Sequence, residues 1–124
     1  AAMNGVYATH TVQHPYLDEA SQPIRFWANK YKTKFNEDPT MFSVYGYSLI
    51  DTFAKAAQKA GTNLSTDTFI KAMESMTIEP DMFGSPAMTF SATKRLGNDL
   101  SRLSQITDGK WKVMTVLTQN AGPS

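Results

Sequence analysis

The chain has 124 residues, of which 41% are hydrophobic, 11% aromatic and 19% charged, the composition of an ordinary globular domain. Twelve Lys and Arg residues against eleven Asp and Glu residues give a net charge of +1, so the basic excess typical of nucleic-acid-binding domains is absent. The sequence has no cysteine and no apolar run of transmembrane length, which excludes disulfides, cysteine-ligated metal sites, thiol catalysis and a membrane-spanning helix.

A strand, a loop and a helix are predicted for the first part of the chain. Residues 1–4 contain neither the basic nor the apolar region of a signal peptide. The period-two pattern from Val6 to Val12 favours a strand, and residues 13–22 are loop-like. Ser21 as N-cap and Pro23 in the first turn predict a helix over Pro23–Phe35. Its apolar stripe repeats every three or four residues, at Ile24, Trp27, Tyr31 and Phe35.

Two further helices are predicted in the middle of the chain. The second runs from Ser43 to Ala60 and ends at Gly61, the position where a left-handed glycine commonly follows a helix. It has a wide apolar face with two ridges, formed by Tyr47, Ile50, Ala54, Ala57, Leu49, Phe53, Ala56 and Ala60. Ser65 caps a third helix, whose predicted buried face consists of Phe69, Ile70, Met73 and Met76.

The last third of the chain predicts short strands. Residues 77–86 contain two prolines and a glycine, which favours an irregular connection, and Met88–Phe90 is a short strand candidate. Asp108-Gly109 lies between the strand-like runs 102–107 and 110–117, a strong signal for a type I′ hairpin. That turn would place Ile106 opposite Trp111 and Ser104 opposite Val113. Residues 119–124 are expected to fray.

Catalytic, metal and nucleotide motifs are weak or absent in this sequence. His10 and His14 are four residues apart, but the pair leaves a strand and enters a loop, and no third ligand is apparent, so no metal site or cofactor is predicted. The adjacent carboxylate pairs 18–19 and 37–38 lack the contrasting environments of an acid–base pair. No serine-hydrolase motif or phosphate-binding glycine loop is present. The prediction is therefore a protein that is not an enzyme.

The segment Met41–Tyr47 is the best ligand-binding candidate by composition. It places three aromatic rings around Gly46, just before or at the start of the second helix. Aromatic walls with a few polar tips commonly line small-molecule pockets. The alternative is that Phe42, Tyr45 and Tyr47 simply pack in the core at the start of the helix. The residues alone leave both interpretations open.

Three segments carry motifs whose order is more specific than any one of them. They are FWANKYKTKFNEDP at 26–39, YGYSLID at 45–51 continuing to AQKAG at 57–61, and FGSP at 83–86 followed by ITDGKW at 106–111. In this order and spacing they resemble the C-terminal part of periplasmic solute-binding proteins of the branched-chain amino-acid type, the receptors of ABC importers. The resemblance extends from Gly5 to about Val116.

The resemblance implies an α/β fold, specifically the C-terminal portion of a two-lobed type I periplasmic-binding-protein fold that ends in a β-hairpin. Residues 1–37 would belong to the C-terminal lobe, and residues 38–100 would pack on the N-terminal lobe after a crossing near Asp38–Phe42. Residues 101–124 would return to the C-terminal lobe after a second crossing near Leu96–Arg102. Ligand would lie between the lobes, which close on it by a hinge motion.

The resemblance also implies ligand-binding residues near the start of the second helix. The family brings an aromatic side chain to the cleft after the Asp-Pro pair, which aligns with Phe42, or with Ser43 if the alignment shifts by one residue. Tyr45 is the next candidate, and Tyr47 marks the aligned helix start. This aromatic setting favours an aromatic carboxylate beside a branched-chain or other aliphatic amino acid as ligand.

The implied function is that of an extracytoplasmic, periplasmic receptor that delivers a small molecule to the permease subunits of an ABC transporter. One alternative is a receptor-like sensor or regulatory domain of the same fold, and another is an independent small α/β interaction module. In a two-lobed protein the apolar helix faces would be buried by a missing N-terminal portion, or by a second copy of this chain. No nucleic acid partner and no membrane span are expected.

Overall fold

Three helices and six short strands form the part of the protein that the computed structural model describes, residues 2–120. The chain order is β1 (Tyr7–His10), α1 (Gln22–Phe35), α2 (Met41–Ala60), α3 (Thr66–Ser75), β2 (Thr77–Ile78), β3 (Met88–Thr89), β4 (Leu100–Thr107), β5 (Lys110–Val113) and β6 (Thr118–Gln119). The predicted α/β class is confirmed. Each predicted helix is present, and the short strands outnumber those that the sequence pattern indicated.

The larger sheet is antiparallel and is built around β4. This strand pairs with β1 and with β5, and its first residues also pair with β6. The β4–β5 turn has positive φ at both central residues, 52° at Asp108 and 78° at Gly109, as a type I′ hairpin requires. The predicted register is confirmed, because Ile106 pairs with Trp111 and Ser104 with Val113.

Helix α1 begins and ends close to the predicted residues. Ser21 occupies the N-cap position without a side-chain capping bond, and Pro23 lies in the first turn. The helix ends at Asn36, whose φ of 55° is left-handed and whose N–H donates to the carbonyl of Lys32. Ile24 is buried, whereas Phe35 at the far end of the predicted stripe is exposed. The stripe therefore packs inward only in its first half.

Helix α2 starts at Met41, two residues before the predicted start. The reason is a local bond, in which the Ser43 hydroxyl accepts a hydrogen bond from the Thr40 N–H at 3.0 Å and so caps the earlier turn. Phe42, expected in an irregular crossing, is therefore helical. The helix ends at Gly61 with a φ of 81°, as predicted. Only Val44 and Ala56 of this helix are fully buried.

Helix α3 has the predicted cap, and a strand follows it that the sequence did not indicate. The Ser65 hydroxyl accepts a hydrogen bond from the Thr68 N–H at 3.2 Å. The residue of α3 that is buried is Ala72, while Ile70 of the expected buried face is exposed. Two residues of the supposedly irregular stretch 77–86 form β2, because they pair with the predicted strand β3.

The last strands differ from prediction at their ends. Strand β5 ends at Val113, earlier than the expected Leu117, and β4 starts at Leu100, inside the expected crossing at 96–102. Gln119, expected to be frayed, belongs to β6 and pairs with Leu100 of β4. Residues 121–124 of the expected frayed tail lie outside the described residues. Within the described range, no helix has both the length and the hydropathy needed to cross a membrane.

A small core forms where the two sheets and the helices meet. Its buried members are Val12, Ile24, Val44 and Phe83, with Trp27 and Met41 packed beside them. Phe83 is fully buried in an irregular segment, and its carbonyl accepts a hydrogen bond from the Gln13 N–H at 2.8 Å. The segment after β2 therefore joins the end of β1 to α1 and α2. This junction fixes the position of the first turns of α2.

Candidate functional site

The four ligand-binding residues predicted from the sequence all lie in the first two turns of α2, but on different sides of it. Successive helical residues are about 100° apart, so Tyr45 and Tyr47 point in nearly opposite directions. Phe42 and Tyr45 lie together on one side. Ser43 and Tyr47 lie on the other, facing α1. The four residues are close in sequence, but the helix places them on two different surfaces.

Phe42 and Tyr45 form an exposed aromatic pair. Their ring centroids are 6.1 Å apart and the ring planes are nearly perpendicular, the edge-to-face arrangement that aromatic rings prefer. The Phe42 side chain is 82% exposed, although a phenylalanine normally buries most of its surface. Phe42 is therefore not a core residue of the described structure. The pair offers an aromatic ring edge and face to a molecule outside.

Tyr45 also lines a cavity of about 480 Å³ between α2, α3 and the β2–β3 sheet. Its apolar walls include Leu49, Met73, Ile78, Pro86, Met88 and Phe90. The volume lies within the range of small-molecule sites, and the apolar lining with a few polar groups is typical of them. Of the four predicted site residues, Tyr45 is the one that belongs to the exposed aromatic pair and also lines this cavity.

The polar groups of this cavity come from the same helix. Ser48 lines it, and its hydroxyl oxygen is buried without a hydrogen-bond partner among residues 2–120. Asp51 and Lys55 form an ion pair at 2.8 Å across one helical turn. The hydrogen bond that the Lys55 ammonium group donates to the Asp51 carboxylate raises the pKa of Lys55. These residues carry the hydroxyl and the charges that a polar ligand group would meet in this cavity.

These polar groups were not among the residues predicted from the sequence, although their spacing is visible in it. Tyr45, Ser48, Thr52 and Lys55 recur every three or four residues, the period of one helix face. Only the apolar ridges of this helix were singled out from the sequence. A helical wheel of the predicted helix, residues 43–60, already places them on the same side as Tyr45.

Ser43 and Tyr47 line a groove of about 740 Å³ between α1 and α2. The Tyr47 ring lies 5.6 Å from Trp27 and 6.3 Å from the buried Phe83, both in edge-to-face geometry. Tyr47 therefore helps to hold α1 against α2, which matches the packing alternative considered for it. The Ser43 hydroxyl is engaged in capping the helix.

A third, polar pocket of about 270 Å³ lies beside the hairpin and contains both histidines. His10 contacts Trp111 with ring centroids 4.8 Å apart, and His14 lies 4.2 Å from Tyr16. Desolvation lowers the pKa of both imidazoles, and the charge of His10 lowers that of His14 further. Within residues 2–120 no three metal-ligating side chains cluster, so the predicted absence of a metal site stays a prediction.

Comparison with known proteins finds a family and several structures that are similar to this chain. The family model described as periplasmic binding protein matches residues 1–110 of the sequence. A search of curated protein sequences finds no match.

Several solved structures share the fold. A solute-binding protein of an ABC transporter from Rhodopseudomonas palustris BisB5, in complex with 3,4-dihydroxybenzoic acid, aligns with 95% of this chain at a TM-score of 0.69 and 21% identity. One from R. palustris in complex with benzoate aligns with 96% at 0.65 and 12% identity. A substrate-binding protein from Desulfitobacterium hafniense in complex with Leu aligns with 91% at 0.61 and 13% identity. This chain spans 32% of the length of each of these proteins.

Proposed function

The chain belongs to the periplasmic binding protein family, and from that premise we propose that it forms part of a receptor that captures a small molecule for an ABC transporter. The observation that carries the proposal is the family match over residues 1–110 together with the exposed Phe42–Tyr45 pair at the start of α2. Capture and release need no covalent chemistry, so the proposed protein is not an enzyme. Its proposed place of action is the periplasm or another extracytoplasmic space.

The proposed ligand-contacting residues are Phe42 and Tyr45. Phe42 exposes nearly its whole ring, and Tyr45 connects that ring to the cavity that contains the Ser48 hydroxyl. Ser43 is kept as the alternative to Phe42, with its hydroxyl bonded to Thr40 in the state described. Tyr47 is proposed to act indirectly, because its ring packs on Trp27 and Phe83.

The proposed ligand class is an aromatic carboxylate, with an aliphatic amino acid as the second candidate. Edge-to-face aromatic pairs add about 0.5–1.5 kcal/mol beyond the burial of surface, and a flat aromatic ligand would gain such contacts from Phe42 and Tyr45. Two proteins of similar fold are complexes with benzoate and dihydroxybenzoate, and a third is a complex with Leu. Because their sequence identity with this chain is low, these structures support the fold alone. The ligand class is supported by the aromatic pair of this chain.

The proposed organisation follows the two-lobed fold. Residues 1–37 and 101–124 belong to one lobe and residues 38–100 to the other, so that α1 and α2 are assigned to different lobes. The proposed partners are the ligand, the permease subunits of the transporter, and the remainder of a longer chain. A sensor of the same fold that signals to a partner protein is the second candidate function, and it would bind its ligand in the same way.

The experiment is a calorimetric titration of the longer protein that contains this chain. Benzoate, 3,4-dihydroxybenzoate and leucine are titrated separately, and we expect one of the aromatic acids to bind well below about 1 mM, which corresponds to about −4 kcal/mol. Phe42→Ala and Tyr45→Ala should each weaken binding roughly 3- to 10-fold through the lost ring contacts. Phe35→Ala, an exposed aromatic residue of α1, is the matched control and should leave binding unchanged.

The outcomes separate the parts of the proposal. Failure of all three compounds, and of a wider library of amino acids and aromatic acids, to bind below the millimolar range would remove the support for a receptor. Binding of leucine alone would mean that the ligand is an aliphatic amino acid and not an aromatic carboxylate. Binding that is insensitive to Phe42→Ala and Tyr45→Ala would move the site away from the start of α2.

A further inference from the structure

The groove between α1 and α2, about 740 Å³ in volume, combines aromatic rings with positive charge. Aromatic residues of both helices line it, among them Phe26, Trp27, Tyr31 and Tyr47. Lys30 and Lys34 of α1 also line it, and none of the described residues around it is an aspartate or a glutamate. A concave, mostly apolar site of this volume is large enough for a small molecule.

The rings of Trp27, Tyr31 and Tyr47 form one connected surface, called here the ring platform. Trp27 stacks on Tyr31 with ring centroids 5.6 Å apart and planes inclined by 30°. Tyr47 of α2 meets the Trp27 ring edge-to-face, also at 5.6 Å. Tyr47 is 47% exposed, and Phe26 at the edge of the groove is 67% exposed, so much of this aromatic surface is free. A flat aromatic molecule gains ring contacts on such a surface in addition to the burial of area.

The two lysines of the groove are the second, independent observation. Lys30 and Lys34 are one helical turn apart, a spacing at which like charges repel and destabilise a helix. Among residues 2–120, the cations that form ion pairs are Lys32, Lys55, Arg95 and Lys110. Glu37 after α1 accepts a hydrogen bond from the Tyr31 hydroxyl at 3.3 Å, and Asp38 pairs with a different lysine. The positive charge of the groove is therefore not compensated within the described residues.

We propose that this groove is a binding site for an aromatic anion of two or more rings, whose rings lie on the ring platform and whose charged group pairs with Lys30 and Lys34. A single-ring acid would fill only a small part of about 740 Å³, so the volume favours the larger ligand. The site is additional to the proposed ligand site at Phe42 and Tyr45. Tyr45 and Tyr47 are about 200° apart around α2, so the groove lies on the opposite side of the helix from that pair.

The test is a calorimetric titration of the longer protein that contains this chain with 2-naphthoate, and with 2-naphthamide as the neutral compound of similar shape. The double variant Lys30→Gln, Lys34→Gln removes both charges of the groove. The double variant Lys59→Gln, Lys71→Gln is the matched control, because it removes two exposed lysines of α2 and α3 that lie outside the groove. The titrations are made at low ionic strength, since salt screens exposed charges. Circular dichroism confirms that each variant folds.

We expect 2-naphthoate to bind roughly 5-fold more tightly than 2-naphthamide, because only the anion pairs with the lysines. Lys30→Gln, Lys34→Gln should abolish this preference, and the control double variant should keep it. Phe26→Ala should weaken the binding of both compounds roughly 3- to 10-fold, because it removes an exposed ring of the groove and no charge. Together the variants separate recognition of the charge from recognition of the rings.

Three results would overturn the proposal. The first is a folded longer protein that does not bind 2-naphthoate, and the second is equal affinity for the anion and the amide. The third is loss of 2-naphthoate binding in Phe42→Ala, which would place the compound in the proposed ligand site and not in the groove. None of these results changes the outcome of the titrations with benzoate, 3,4-dihydroxybenzoate and leucine, so failure of this inference is distinguishable from failure of the receptor proposal.

Discussion

The guanidinium group of Arg102 lies directly against the backbone of Gly84. Arg102 extends from the first half of β4 and donates a hydrogen bond from Nη2 to the carbonyl oxygen of Gly84. A Cβ at position 84 would lie 2.8 Å from Nη1 of Arg102, closer than Cβ atoms approach non-bonded neighbours in folded proteins. The arginine side chain is almost completely buried, and desolvation lowers the pKa of its guanidinium group. The contact joins the larger sheet to the segment that carries the core residue Phe83.

Gly84→Ala is expected to destabilise the protein. Gly84 has a φ of 76°, and an alanine in this left-handed region is unfavourable by about 1–2 kcal/mol. The collision with Arg102 adds to this strain. Gly109→Ala is the control, because φ is 78° and nothing lies within 4 Å of its Cβ. Urea unfolding should show a larger loss for Gly84→Ala, and equal losses would mean that the Arg102 contact yields without consequence.

Phe83→Ala is expected to lower the free energy of unfolding by about 3–5 kcal/mol, the range for a buried phenylalanine whose removal leaves a cavity. The Phe83 ring is fully buried and lies 5.0 Å from Trp27. Phe42→Ala is the matched control, since this ring is mostly exposed, and its effect on unfolding should stay within about 0.5 kcal/mol. Trp27 fluorescence during urea titration reports both. A large loss for Phe42→Ala would mean that its ring is part of the core.

Ser65→Ala is expected to destabilise α3 by about 1 kcal/mol, because the hydroxyl accepts the Thr68 N–H at the helix start. Ser21→Ala provides the comparison. Ser21 has the same N-cap position in α1 but makes no side-chain capping bond, so its replacement should change stability much less. Thermal unfolding of the two variants under the same conditions checks this. Equal losses would contradict the difference in capping between the two serines.

Stability is expected to fall as the pH is lowered through the range of the histidines. His10 and His14 both have a pKa below the ordinary value of 6.5 in the folded chain, chiefly because of desolvation. The unfolded chain therefore binds more protons than the folded chain as the pH falls through about 6.5, so unfolding becomes more favourable below that pH.

The measurement is the urea midpoint between about pH 7.5 and pH 5.5, a window that brackets this titration. The double variant His10→Gln, His14→Gln should lose most of the dependence in this window. Carboxylates such as Asp18, whose pKa is lowered by the hydrogen bond that it accepts from Lys110, titrate at more acidic pH and should not contribute there. A midpoint that rises on acidification would show the sign to be wrong.

Local chemistry explains why much of the fold was predictable. The Asp108-Gly109 turn needs positive φ at both positions, and this pair sets the register from Ile106 to Ser104 without distant contacts. Ser65 likewise marks the start of α3 through a capping bond, and Gly61 marks the end of α2 through its backbone angles. Features of this kind are determined by neighbours in sequence, and each was confirmed.

The elements that were predicted wrongly depend on pairing with residues distant in sequence or on the residue at which a helix starts. Strand β2 exists because Thr77 pairs with Thr89 and Ile78 with Met88 of β3, residues that the pattern of residues 77–86 alone does not reveal. The start of α2 at Met41 instead of Ser43 follows from the local bond between Thr40 and Ser43, and it makes Phe42 helical. The polar side of α2 that carries Ser48 was not predicted, because its role depends on the cavity that this helix forms with α3 and the β2–β3 sheet.

The sequence by itself determined the α/β class, three helices, the hairpin with its register, and a motif order that resembles the family whose model matches residues 1–110. The helices and the hairpin follow from periodicity, capping and turn conformation, which act over a few residues, whereas the family is implied by the resemblance of the motif order. Only the tertiary structure decided that Tyr45 faces a cavity while Tyr47 packs on Trp27, and that Leu49 and Ile50 of α2 are exposed. The direction in which a helix presents its faces depends on packing against distant segments such as Phe83, and no local pattern specifies it.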